Sequence, residues 1–120
     1  MAYPITLSDL STMDDLSSSL KQAKNKLCVV MFTAGWCNPC KTTKKKIFDE
    51  TTKRGLSVDL KDNAAFFYVD IDHNKELAEE FKITSIPHFF LMKCESNEIE
   101  MKCNFKGGSD LTEQKIRANF

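Results

Sequence analysis

The sequence predicts an α/β protein with a central mixed β-sheet flanked by helices on both faces, in the order β-α-β-α-β-α-β-β-α. Three observations carry this. Leu27-Cys28-Val29-Val30-Met31-Phe32 is a continuous apolar run, the pattern of a central strand covered on both sides. Residues 65–71 form a second buried strand, and segments with apolar residues at helical spacing lie between the strands. Near the C-terminus, residues 87–93 and 98–105 flank the polar stretch Glu95-Ser96-Asn97 and are expected to pair as an antiparallel hairpin.

Taken in order, residues 3–6 are expected to form a short first strand. Ser11 or Thr12 can cap the helix that follows, with Asp14 and Asp15 in its electropositive first turn. Met13, Leu16, Leu20 and Ala23 make its apolar face. After the strand at 27–32, a helix is predicted from Asn38 towards Arg54 and stopped by Gly55, with Cys40, Thr43, Ile47, Phe48 and Thr51 as its inner stripe. Residues 56–63 read as a loop or a short surface helix. Asp72 is expected to cap a helix carrying Leu77, Ala78 and Phe81. Gly107-Gly108 turns the chain, and Asp110 with Glu113 resembles a capping box for the last helix, which bears Leu111, Ile116 and Phe120.

A chain of 120 residues suits a single domain over 1–120. Seventeen basic residues balance seventeen acidic ones, which argues against nucleic acid or an anionic membrane as the main partner. No apolar stretch approaches the ~18 residues that a membrane span requires. Met1-Ala2-Tyr3-Pro4-Ile5 lacks the basic and apolar regions of a secretory signal. Five cysteines, an odd number, do not fit a disulfide-stapled secreted scaffold, so a cytoplasmic location is expected.

The chemistry concentrates where the first apolar run ends. Thr33-Ala34-Gly35 leads into Trp36-Cys37-Asn38-Pro39-Cys40-Lys41, so a buried strand delivers two cysteines onto the first turn of a helix. Cysteines at i and i+3 share a helix face, within the Cα separation of about 4.4–6.8 Å that a disulfide requires. Unpaired N–H groups and partial positive charge at the helix start favour the Cys37 thiolate. Cysteines so placed titrate at roughly 3.5–7.5 instead of about 8.5. Pro39 fits the first turn because its missing N–H is no loss there. A zinc half-site is the alternative, but zinc takes about four ligands and the chain has no second Cys-x-x-Cys or His-x₃-His. No metal or cofactor is expected.

These residues resemble the signature of the thioredoxin family, a strand followed by Trp-Cys-Gly-Pro-Cys-Lys, with Asn38 in the glycine place. Phe81-Lys82-Ile83-Thr84-Ser85-Ile86-Pro87 resembles the family segment that ends in a cis-proline facing the cysteines. Tyr68-Val69-Asp70-Ile71-Asp72 resembles its third strand. The resemblance runs from about Asp9 to Phe120 and implies the thioredoxin fold. It also implies a thiol–disulfide oxidoreductase that reduces disulfide-containing proteins and is itself reduced by a thioredoxin reductase or a glutathione system. Cys37 would attack, and Cys40 would resolve the mixed disulfide. Trp36, Asn38, Pro39, Ile86 and Pro87 would form the substrate surface. The lesser alternative for Trp36 is a plain core residue. Read alone, Pro87 would be trans, since only about 5–6% of X–Pro bonds in folded proteins are cis, and the resemblance reverses this to imply cis. An oxidase or isomerase of the same fold, and a binding module without catalysis, are the competing readings.

Two positions depart from the family beyond Asn38. Met31 stands where the family usually has a buried aspartate that handles the second cysteine's proton, and Tyr68 replaces a charged residue near it. The paired change leaves no stranded charge, because both ends become apolar or nearly so. It implies a drier interior and slower resolution by Cys40. Lys41, Lys44, Lys45, Lys46, Lys53 and Arg54 face only Asp49 and Glu50, either as a solvated helix face or as a docking surface for acidic partners. Cys28 reads as a small core residue. Cys94 opposite Ile99, and Cys103 opposite Phe90, would lie too far apart for a disulfide, which leaves either free to be a surface thiol. His73 and His88 read as surface or strand residues, with His88 placed to border the substrate groove.

Overall fold

The computed structural model describes residues 3–95 and 97–120. Ten elements follow in chain order: β1 (Ile5–Leu7), α1 (Met13–Leu20), β2 (Leu27–Thr33), α2 (Asn38–Ile47), α3 (Leu56–Asp59), β3 (Ala64–Asp70), α4 (Lys75–Glu80), β4 (His88–Glu95), β5 (Glu98–Lys106) and α5 (Glu113–Arg117). The sheet order is β1-β3-β2-β4-β5. β1 and β2 run parallel to β3, whereas β4 is antiparallel to both β2 and β5. This is the mixed sheet of the thioredoxin fold.

Every residue of β2 is buried, so alternate side chains feed two separate apolar layers. Leu27, Val29 and Met31 join Phe66, Phe89, Leu91 and Ile47 on the face covered by α2, α3 and α5. Cys28, Val30 and Phe32 join Phe67, Val69, Leu16, Leu20 and Leu77 on the face covered by α1 and α4. The continuous apolar run is the sequence record of that double burial. Thr12, not Ser11, caps α1: its hydroxyl accepts from Asp15 N–H at 3.2 Å. The Asp15 carboxylate accepts in return from Thr12 N–H at 3.1 Å and from Ser11 N–H at 2.8 Å, which holds its pKa below the ordinary value.

Several boundaries differ from expectation for local reasons. The first strand is Ile5–Leu7, shifted towards the C-terminus from its expected position. The cysteine-bearing helix ends at Ile47, not near Arg54, because Asp49 captures the backbone. Its Oδ1 accepts from Thr51 N–H at 2.8 Å, and its own N–H donates to the Arg54 carbonyl at 2.8 Å. Phe48 then leaves the helix in an extended conformation and stays buried, while Thr51, expected inside, is exposed. Gly55 sits where an added Cβ would strike the Ile47 carbonyl oxygen, with φ +145. It lets the chain double back onto the end of α2. The following segment includes the short helix α3, and Leu56 and Leu60 are buried.

α4 starts after Asn74, not at Asp72. Asn74 is 2% exposed and ties the ends of β1 and β3 together. It accepts from Leu10 N–H at 2.8 Å and donates to the Leu7 and Asp70 carbonyls at 3.3 and 2.9 Å. The last helix is capped by Thr112, whose hydroxyl accepts from Lys115 N–H at 3.1 Å, and Asp110 lies in the preceding 3₁₀ turn. In the hairpin, Glu95 pairs with Glu98; of the expected turn residues, Ser96 lies outside the described residues, as do Met1 and Ala2. Cys94 lies opposite Ile99 as predicted, but a β-bulge between Leu91 and Met92 places Cys103 opposite Leu91 instead of Phe90. Cys28, Cys94 and Cys103 are free thiols. Among the described residues, no helix is long and apolar enough to cross a membrane.

Candidate active site

β2 ends at Thr33, and Ala34 and Gly35 bend the chain into α2. Cys37 is the N-cap, with extended backbone (φ −90, ψ 105), and Pro39 occupies the first turn. Cys37 and Cys40 are joined in a disulfide with Cα atoms 5.3 Å apart, the pairing their i, i+3 spacing predicts. Cys37 Sγ accepts a hydrogen bond from the Cys40 backbone N–H at 3.2 Å. A sulfur thus takes the place that Ser, Thr or Asp usually holds at a helix start. Cys37 retains 4% exposure and Cys40 none, so of the two only the first cysteine reaches the surface.

The segment before β4 closes the other side. The Ile86–Pro87 peptide is cis, and the Ile86 carbonyl oxygen lies 3.9 Å from Cys37 Sγ. Beside it runs a groove of about 280 Å³ lined by Trp36, Ile71, Ile83, Thr84, Ser85 and Ile86. Trp36 is 65% exposed, which rules out the reading as a core residue. Its indole N–H donates to the Asp72 carboxylate at 2.9 Å, and Asp72 N–H donates to Asp70 Oδ1 at 2.8 Å. Asp72 therefore holds the groove wall in place of capping α4. Its role is invisible in local sequence, because its partner lies 36 residues away. Asn38 and Pro39 are exposed beside the disulfide, and Pro87 is buried behind it.

Met31 is fully buried, in the same apolar cluster as Cys40 and between Tyr68 on β3 and Phe89 on β4. Tyr68 is half-buried, with the Lys44 ammonium 4.8 Å from its ring centre. Burial, and secondarily the Glu50 charge, push its phenol above the ordinary value, so it stays neutral. His88 does not border the groove. It is buried, its ring stacks on Phe90 at 4.5 Å, and its Nε2 lies 3.1 Å from Asn104 Oδ1. It belongs to the aromatic cluster of Phe32, Phe81 and Phe90, on the sheet face away from Met31 and Cys40. His73 is exposed. Among the described residues no group of three or more His, Cys, Asp or Glu side chains is arranged to hold a metal ion.

Comparison with known proteins agrees with this geometry. The thioredoxin family profile matches residues 9–116. An H-type thioredoxin of Brassica oleracea is 42% identical over 86 residues, covering 70% of this chain and 64% of the relative, so the match spans under two thirds of that relative's length. Among solved structures, a Trichomonas vaginalis thioredoxin superposes with a TM-score of 0.75 at 29% identity, covering 95% of this chain and 91% of that one. A Schistosoma mansoni thioredoxin gives a TM-score of 0.71 at 34% identity, covering 98% of both chains.

The buried Cys28 thiol has a different chemistry from the exposed site. Burial, aided by Cys94, pushes its pKa up to about 12. It is therefore expected to resist iodoacetamide in the native reduced protein at pH 8 and to react only in denaturant, as peptide mass spectrometry will show. Native labelling of Cys28 at a rate near that of free cysteine would contradict its placement.

Proposed function

The chain belongs to the thioredoxin family, and on that premise we propose that it is a thiol–disulfide oxidoreductase that reduces protein disulfides through Cys37 and Cys40. The observation that carries this reading is the disulfide at the start of α2, with Cys37 Sγ both accepting the Cys40 N–H and facing the Ile86 carbonyl. In the reduced protein, the Cys37 thiolate attacks one sulfur of a target disulfide. A Cys37–target bond forms, the target S–S bond breaks, and the second target sulfur leaves as a thiolate. The Cys40 thiol then loses its proton and attacks Cys37 Sγ. This forms the Cys37–Cys40 disulfide and releases the first target sulfur. Two electrons pass to the target, and a thioredoxin reductase or a glutathione system restores the dithiol.

The groove fits an extended segment of the target. Trp36 forms one wall, Asn38 and Pro39 lie exposed beside the disulfide, and the backbone of Ile86 before Pro87 offers hydrogen-bonding groups to a passing strand. A reducing compartment such as the cytoplasm suits the three free cysteines.

Met31 gives the second half-reaction a distinct character. Among the described residues no carboxylate is buried, so no interior Asp or Glu stands ready to take the Cys40 proton. Resolution is accordingly the slow step in this reading.

Two measurements test it. Cys37→Ser is expected to abolish insulin-disulfide reduction, and Cys40→Ser to accumulate a mixed disulfide with the target; a Cys37→Ser protein that still turns over would contradict the assignment. Met31→Asp is expected to speed resolution while lowering stability by about 3–5 kcal/mol, since it buries a carboxylate without a partner. An unchanged rate in a folded variant would sever the link between Met31 and resolution.

A further inference from the structure

The charge on α2 is not explained by its fold alone. The chain is neutral overall, yet α2 carries Lys41, Lys44, Lys45 and Lys46 and no acid. Lys46 serves the fold, since its ammonium donates to the Gly108 and Leu111 carbonyls at 2.8 and 2.9 Å. Lys41, Lys44 and Lys45 have no carboxylate within 4.0 Å among the described residues. The balancing acids are elsewhere, including Asp14 and Asp15 on α1 and Glu76, Glu79 and Glu80 on α4, across the sheet. α2 is therefore a locally basic helix on a chain with no net charge.

Beside these lysines the surface is hollow. A cavity of about 350 Å³ is lined by the rings of Tyr3, Phe48 and Tyr68 and by Lys44 and Lys45. Tyr3 is 60% exposed, with its ring set edge-on to Phe48 at 5.0 Å. Asp49 and Glu50 also line the hollow and keep their charge there, against the ammonium groups of Lys44, Lys45 and Lys53, the last 5.8 Å from the Phe48 ring centre. Asp49 Oδ1 accepts from Thr51 and Thr52 N–H, and Glu50 pairs with Lys53 at 3.3 Å. Lys45 is exposed, and Lys44 lies over Tyr68. An aromatic floor beneath two ammonium groups without carboxylate partners matches an apolar side chain flanked by carboxylates.

We propose that this flank of α2 is a second recognition site, which binds an acidic polypeptide segment carrying an apolar anchor residue and so selects acidic protein substrates for the Cys37–Cys40 centre. The selection of substrates rests on the redox reading above; the binding site does not. Lys45 lies about 12 Å along the helix from Cys37, at about 1.5 Å per residue. An extended target reaches that far with about four residues beyond its disulfide, at about 3.3 Å each. Docking there anchors the target beside the reacting sulfur without occupying the Trp36–Ile86 groove.

The test uses two disulfide peptides alike except for a tail beginning four residues from the disulfide, either Glu-Glu-Phe-Glu-Glu or Gln-Gln-Phe-Gln-Gln. The wild-type chain is expected to show a KM about tenfold lower for the acidic peptide at low salt, with kcat alike, and the gap is expected to close near ~0.5 M salt. Lys44→Glu with Lys45→Glu should erase the preference and leave the neutral peptide unaffected; Lys45→Gln, a milder change at an exposed position, should reduce it. Equal KM values in the wild type, or a preference that survives the double variant, would overturn the proposal. A cysteine-free acidic peptide, titrated by NMR, separates this site from the redox reading. Saturable, salt-sensitive shifts at Tyr3, Phe48 and Tyr68 are expected even if neither disulfide is reduced, and shifts confined to Trp36 and Ile86, or none, would refute the site.

Discussion

The start of α2 is the constraint around which the molecule is arranged. A helix begins with N–H groups that no earlier carbonyl can satisfy, and one of them, from Cys40, points at Cys37 Sγ from 3.2 Å. Keeping that geometry at a surface requires the helix to be held rigidly by one face. The apolar layer of Met31, Phe89, Ile47 and Cys40 does this, while β2 fixes where the helix starts. The cis peptide before Pro87 completes the arrangement by bringing the Ile86 carbonyl to the exposed side of the same sulfur. Sheet, helix and loop converge on one atom.

The rest of the fold secures those three parts. Polar ties between elements contribute to this. Asn74 joins the chain after β1 to the end of β3, and Asp72 holds the Trp36 ring across the groove. Lys46 links α2 to the turn before α5 through two carbonyls. Gly108 permits that approach, because a Cβ there would collide with the Thr43 side chain. Apolar burial supplies most of the stabilisation, and these few directional contacts set register.

Much of this is legible in the sequence because it follows from local chemistry. Double burial writes the apolar run of β2, and helix geometry makes Cys37 and Cys40 neighbours. The Cys94–Ile99 pairing follows from the position of the polar turn alone. What the sequence hides depends on competition or distance. Thr51 fits the inner stripe of a longer helix, but Asp49 binds the backbone N–H groups first. Cys103 is one residue out of its expected register because the bulge between Leu91 and Met92 leaves no mark in the local pattern. Adjacency to Pro87 suggests that His88 borders the groove. In a strand, however, its ring must face opposite to Phe89, and it stacks on Phe90 instead. Asp72 resembles a helix cap in sequence, whereas its partner in the fold is the Trp36 indole.

Once the disulfide is reduced, the helix start is expected to hold the Cys37 sulfur as a thiolate at neutral pH. Thiolate absorbance near 240 nm, followed against pH with a Cys37→Ser control, measures this directly. A Cys37 pKa at or below about 7.5 is expected. A value of about 8.5 or higher, that of an unperturbed thiol, would contradict it.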